Sequence, residues 1–136
     1  MHSPLPPRPA SLSAALITGT TASGLAVRKL PIGLPQAIVK HGGSILWALL
    51  IYWAISALRP MWTPRQSGVF AVVITTTVEL SQLYHAPALD ALRETTFGAL
   101  MLGRVFSPWD VISYAAAVVF GVTIDQAIRG KSSASR

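Results

Sequence analysis

Four stretches of 17 to 19 mostly apolar residues, each closed off by charged or titratable side chains, decide what this chain can fold into: residues 9–27, 42–58, 66–84 and 111–128. A helix rises about 1.5 Å per residue, and a hydrocarbon core about 30 Å thick takes roughly 17 to 25 helical residues to cross. All four stretches meet that length. Composition agrees, because 51% of the residues are hydrophobic and only 12% charged, where a soluble domain carries about 25% charge. The 136 residues make one compact unit with no room for a soluble catalytic domain beside a membrane part. A fifth apolar run, residues 95–103 between Glu94 and Arg104, is too short to span. The expected fold is therefore an all-α integral membrane protein, with four transmembrane helices and a short re-entrant or interfacial helix between the third and fourth. This membrane domain covers residues 10–128. The Pro-rich tail 1–9 and the basic, Ser-containing tail 129–136 are expected to be disordered.

The first stretch is the least apolar, diluted by Thr18, Gly19, Thr20, Thr21, Ser23 and Gly24. With Arg8 ahead of it, a signal peptide is the competing reading. No clean small-x-small cleavage site follows, and small residues suit close helix contact in lipid, so it is read as a span. Trp62 and Trp109 fall beside span ends, where amphipathic rings favour the headgroup level, and Pro60 and Pro64 mark a tight turn between the second and third spans.

The formal charge of +6 and pI near 10.6 would suggest nucleic acid in a soluble chain. Here the basic residues are dispersed at the ends of apolar runs, as helix-end anchors are, with no cluster of the kind that tracks a phosphate backbone. Nucleic acid is set aside as a partner in favour of the bilayer. The absence of cysteine removes disulfides, thiol nucleophiles and thiolate metal sites. His2, His41 and His85 have no metal-ligand spacing, and no cofactor is implied. Four spans place both termini on one side with Arg8, Arg59, Arg65, Arg129, Lys131 and Arg136, against Arg28, Lys29, Lys40, Arg93 and Arg104 on the other. That bias leans slightly to cytoplasmic termini in a bacterial inner membrane.

A charged side chain within a span is costly and marks a functional hypothesis by default. Glu79 is such a residue. Residues three and four apart share a helical face, so Thr75, Thr76, Glu79 and Gln82 form one polar stripe. The last span opens with Pro108-Trp109-Asp110, and Asp110 shares a face with Ser113, Tyr114, Ala117 and Gly121. An acid at a helix start is also favourable for the dipole alone. Asp125 and Arg129, four apart, read as a helix-end ion pair of little consequence. The four-span topology brings the end of the third span, the start of the fourth, the short helix and the loop from Arg28 to His41 to one membrane face. Glu79, Gln82, Arg93, Asp110, Tyr114 and Arg28 are therefore the candidate ligand-binding residues. Arg93 is the expected cation for Glu79, because a buried carboxylate without one tends to neutralise. The same cluster can equally serve only to pin the short helix to the bundle.

The stretch Val78-Glu79-Leu80-Ser81-Gln82-Leu83-Tyr84, then Leu89-Asp90-Ala91-Leu92-Arg93, Gly98, Leu102-Gly103, Phe106, and Asp110 with Tyr114 resembles the small bacterial membrane proteins catalogued as domain of unknown function 2809. Gly24-Leu25 with Arg28, and Leu46-Trp47-Ala48, look like parts of the same pattern, which extends from about Gly24 to Asp125. A looser similarity of the Glu-x-x-Gln segment and the Asp-led last span reaches VanZ-like membrane proteins, linked by name to glycopeptide-antibiotic resistance. The resemblance implies a four-span protein with its motif residues on one face and brings no established activity. It also implies an acid after the glycine that precedes Leu-Trp-Ala, where this chain has Gly43-Ser44.

Three functions are then in view. The leading one is a structural or accessory envelope protein with a polar cluster at one membrane face. Next is a small transporter, necessarily a homo-oligomer, with Glu79 as proton or cation site. An enzyme on lipid-linked substrates, with Glu79 or Asp110 as acid or base and Arg93 on a phosphate, ranks last for want of a nucleophile.

Overall fold

The computed structural model describes residues 4–135. Six helices follow one another: α1 Ala10–Lys29, α2 Gln36–Leu58, α3 Pro64–Ser81, α4 Pro87–Glu94, α5 Thr96–Leu102 and α6 Pro108–Ala134. The described residues contain no strand. Three helices, α1, α2 and α6, are long and apolar enough to cross a membrane. The third expected span, α3, has 18 residues, but Thr75, Thr76, Thr77, Glu79 and Ser81 dilute it.

Local chemistry explains the boundaries. Pro64 is the first residue of α3, and Thr63 with Gln66 forms a reciprocal capping box ahead of it: the Gln66 amide donates to Thr63 Oγ1 at 3.2 Å, and the Thr63 amide to Gln66 Oε1 at 2.9 Å. Such a box satisfies two of the amides that a helix start leaves open. Pro87 and Pro108 likewise open α4 and α6, where a missing amide costs nothing. α2 starts at Gln36, directly after Pro35, six residues ahead of the expected span, because nothing between Pro35 and Gly42 stops a helix. The expected loop from Arg28 to His41 is correspondingly short, and Lys40 and His41 lie on α2. Between α3 and α6 the chain makes two short helices where one was expected. α5 matches the apolar run, and the charged α4 before it was not foreseen. The expected C-terminal tail is also corrected, since α6 continues through Ala134. At the other terminus residues 1–3 lie outside the described residues, and Arg8, placed in the N-terminal tail by the sequence, is 7% exposed.

α2, α3 and α6 pack on one another and α1 leans on α2. Close approach rests on small residues. A Cβ on Gly121 would stand 3.1 Å from Leu49 and Tyr52, and one on Gly68 would stand 2.6 Å from Val122, so glycine lets α6 close on α2 and α3. The interior holds few apolar side chains, among them Ala48, Tyr52, Trp53, Ala71, Ala117 and Val118, and many polar ones. Along α3 the buried face is Ser67, Gly68, Ala71, Thr75 and Glu79, while Val69, Phe70, Val73 and Ile74 point outward. Water would favour the reverse arrangement; lipid favours this one.

Candidate functional site

Glu79 stands in the last turn of α3, two residues from its end, and is 0% exposed. A carboxylate there faces the negative end of its own helix dipole, so it needs donors from elsewhere. The start of α6 supplies them. The backbone amide of Ser107, the residue before α6, donates to Glu79 Oε1 at 2.8 Å, and Tyr114 Oη donates to Oε2 at 2.9 Å. Gln82 Nε2 adds a third hydrogen bond to Oε2 at 3.1 Å and bridges to the Leu102 carbonyl at 2.9 Å. The amide end of a helix is an anion site in its own right, and here it does what a cation was expected to do.

Arg93 is not the partner of Glu79. Its guanidinium donates to the carbonyls of Ser81 at 2.5 Å and Tyr84 at 2.9 Å, and pairs with Asp90 at 3.2 Å. It thereby caps the carbonyl end of α3, where cations are favoured. Arg104 similarly donates to the carbonyls of Arg93 and Glu94 at the end of α4. Gly98 packs so tightly on the Leu92 carbonyl that any side chain there would collide, which holds α5 against the end of α4.

Beside Glu79 opens a chamber of about 440 Å³ between the end of α1, the start of α2, the end of α3, α5 and the start of α6. Its walls carry Arg28, Lys40, Ser44, Gln82, Asp110 and Tyr114. The sequence candidates thus divide. Arg28, Gln82, Asp110 and Tyr114 share the chamber, Glu79 sits behind its Gln82–Tyr114 wall, and Arg93 faces elsewhere. Arg28 lies across the backbone of α2 at Gly43, so close that a Cβ would displace it. Neither Arg28 nor Lys40 has a carboxylate partner among the described residues. Opposite them two buried acceptors, Asp110 Oδ1 and Gln82 Oε1, have no hydrogen-bond donor. The nearest side-chain nitrogen of a basic residue to Asp110 Oδ1 is His41 Nδ1, 4.0 Å away. Buried polar atoms are nearly always partnered, so this chamber combines free cations with free acceptors.

Lys40, Ser44 and Trp47 were not foreseen as site residues. Their spacing of four and three puts them on one face of a helix starting after Pro35, which is the signal that would have found them.

The opposite end of the bundle holds a second polar cluster, and here the expectation of an inconsequential ion pair is overturned. Asp125, 0% exposed, accepts from Tyr52 Oη at 2.6 Å, Ser56 Oγ at 3.3 Å and Arg129 Nε at 3.0 Å, and pairs with Arg8 Nη1 at 2.6 Å. Arg129 also donates to Ser56 Oγ and to the Trp62 carbonyl, and Arg8 stacks over Trp53 at 5.0 Å. These contacts tie Arg8, two residues ahead of α1, to the end of α2, the α2–α3 turn and the last part of α6 in one knot.

Together these features define a class: an all-helical protein of apolar, membrane-length helices with polar side chains gathered inside at two ends and an open chamber at one of them. Within that class the chain belongs to the family of proteins of unknown function DUF2809, whose model matches residues 33–118. No solved structure matches the chain. The match is narrower than the resemblance drawn from sequence. It takes in Lys40, Ser44, Glu79, Gln82, Asp110 and Tyr114, and leaves out Arg28 together with Arg8, Asp125 and Arg129.

Proposed function

We propose that this is a four-span protein of a bacterial inner membrane, with cytoplasmic termini, that serves as a non-catalytic accessory component by holding a phosphate-bearing ligand in the chamber. The observation that carries the reading is the pair of unpaired cations, Arg28 and Lys40, lining a cavity open beside buried acceptors. Arginine presents a planar fork of donors matched to phosphate, and lysine a point charge. The outward Val69, Phe70, Val73 and Ile74 of α3 support its role as the fourth span. The geometry favours transport less, because Glu79 lies at a helix end rather than at mid-membrane and both its oxygens accept hydrogen bonds.

The test is the thermal stability of purified protein in detergent, titrated with inorganic phosphate against chloride at matched ionic strength. Wild type should be stabilised by phosphate, and the double variant Arg28→Gln/Lys40→Gln should not respond. Equal responses of the two proteins would overturn the reading. Because the chain has no cysteine, single cysteines can test the span count. One at Val73 should resist an impermeant maleimide, whereas those at Pro31 and Met61 should react from opposite sides.

A further inference from the structure

The chamber does not end at its polar walls. Arg28, Trp47, Leu100 and Met101 also line an apolar groove between α1 and α2, whose remaining walls include Gly24, Leu25, Leu46 and Leu50. From Lys40 at the chamber to Leu50 in the groove is ten residues of α2, about 15 Å of helix, or half of the roughly 30 Å hydrocarbon core. A polar head compartment thus runs into an apolar groove whose own α2 wall, from Gly43 to Leu50, is about 10 Å long. At the junction stands Trp47, whose indole Nε1 is buried without an acceptor.

Resting on the phosphate-binding reading, we propose that chamber and groove together hold one phospholipid whose headgroup carries both a phosphate and a primary ammonium. Arg28 and Lys40 take the phosphate. Asp110 Oδ1 and Gln82 Oε1, the two buried acceptors without donors, take the ammonium, which offers three N–H donors as lysine does. A trimethylated ammonium has none to offer, and a glycerol headgroup brings no positive charge to Asp110. Trp47 Nε1 donates to an ester carbonyl at the level where head meets chain, and an acyl chain lies along Gly24, Leu46 and Leu50. The site so filled leaves neither a free cation nor a free acceptor in the chamber.

The experiment is native mass spectrometry of the detergent-purified protein titrated with dioleoyl phosphatidylethanolamine, phosphatidylcholine and phosphatidylglycerol, and with soluble glycerophosphoethanolamine. The ethanolamine lipid should be retained at about tenfold lower concentration than either other lipid, the ratio expected from about one charge-assisted hydrogen bond. Lys40→Gln, an exposed position, should weaken all three lipids alike. Asp110→Asn should weaken the ethanolamine lipid most, the choline lipid less, since it keeps the charge but has no N–H to donate, and the glycerol lipid not at all. Glycerophosphoethanolamine should bind far more weakly than the lipid; equal binding would show a soluble headgroup ligand and remove the groove from the proposal. Equal retention of the three lipids, still dependent on Lys40, would overturn the ethanolamine assignment while leaving the phosphate chamber standing. Loss of both the lipid adducts and the phosphate response would overturn both.

Discussion

The two ends of the bundle solve the same electrostatic problem in opposite ways. At one end Asp125 is buried among Arg8, Arg129, Tyr52 and Ser56, a closed knot in which the carboxylate's four donors come from three parts of the chain. At the other, Glu79 is held by a helix N-terminus and two neutral donors, while Arg93 caps α3 and Arg28 and Lys40 line an open chamber. The closed end spends its charges on holding helices together. The open end satisfies its carboxylate with dipoles and keeps Arg28 and Lys40 available. A buried ion pair is costly to make and worse to break, so the closed end suits a structural role, and the proposed ligand falls to the open end.

That contrast can be broken most directly at Asp125. Asp125→Ala leaves two arginines buried without a counter-charge and should cost about 3–5 kcal/mol, read as a loss of unfolding free energy in detergent. Adding Arg8→Ala should recover part of it. Glu79→Gln should cost less, about 1–3 kcal/mol, because a carboxamide nitrogen facing either the Ser107 amide or the Gln82 amide nitrogen sets donor against donor. A cost equal to that of Asp125→Ala would dissolve the distinction between the ends. Smaller still is the coupling of Glu79 to Arg93. The double variant Glu79→Gln/Arg93→Gln should add within about 0.5 kcal/mol, since Arg93 caps α3 and does not touch Glu79; a larger coupling energy would restore the ion pair. Ser44→Asp should leave stability nearly unchanged and weaken phosphate binding a few-fold, because it puts a carboxylate on the chamber wall with Arg28 and Lys40.

The polar stripe on α3 was legible because helical periodicity is local: Thr75, Glu79 and Gln82 follow from spacing alone, and all three are buried. The partner of Glu79 was not, because a cation near a helix end can serve either a carboxylate or the open carbonyls of that helix, and only the path of α4 directs Arg93 to Ser81 and Tyr84. Asp125 was misjudged for a similar reason. Its spacing to Arg129 is that of a surface pair, yet it also lies inside an apolar stretch, and the rule that singled out Glu79 applied to it equally. What made it a buried centre was Arg8 and Tyr52, which lie far from it in sequence.

Hydrophobic runs and their lengths were enough to specify an all-helical chain with membrane-length helices, its capping prolines and the face on which its polar residues fall, since each depends on neighbours within a turn or two. Which carboxylate meets a cation, which cation is left free, and where a cavity opens depended on how α1, α2, α3 and α6 come together. Those outcomes are set by side chains meeting across helices, at distances along the chain over which local spacing carries no information.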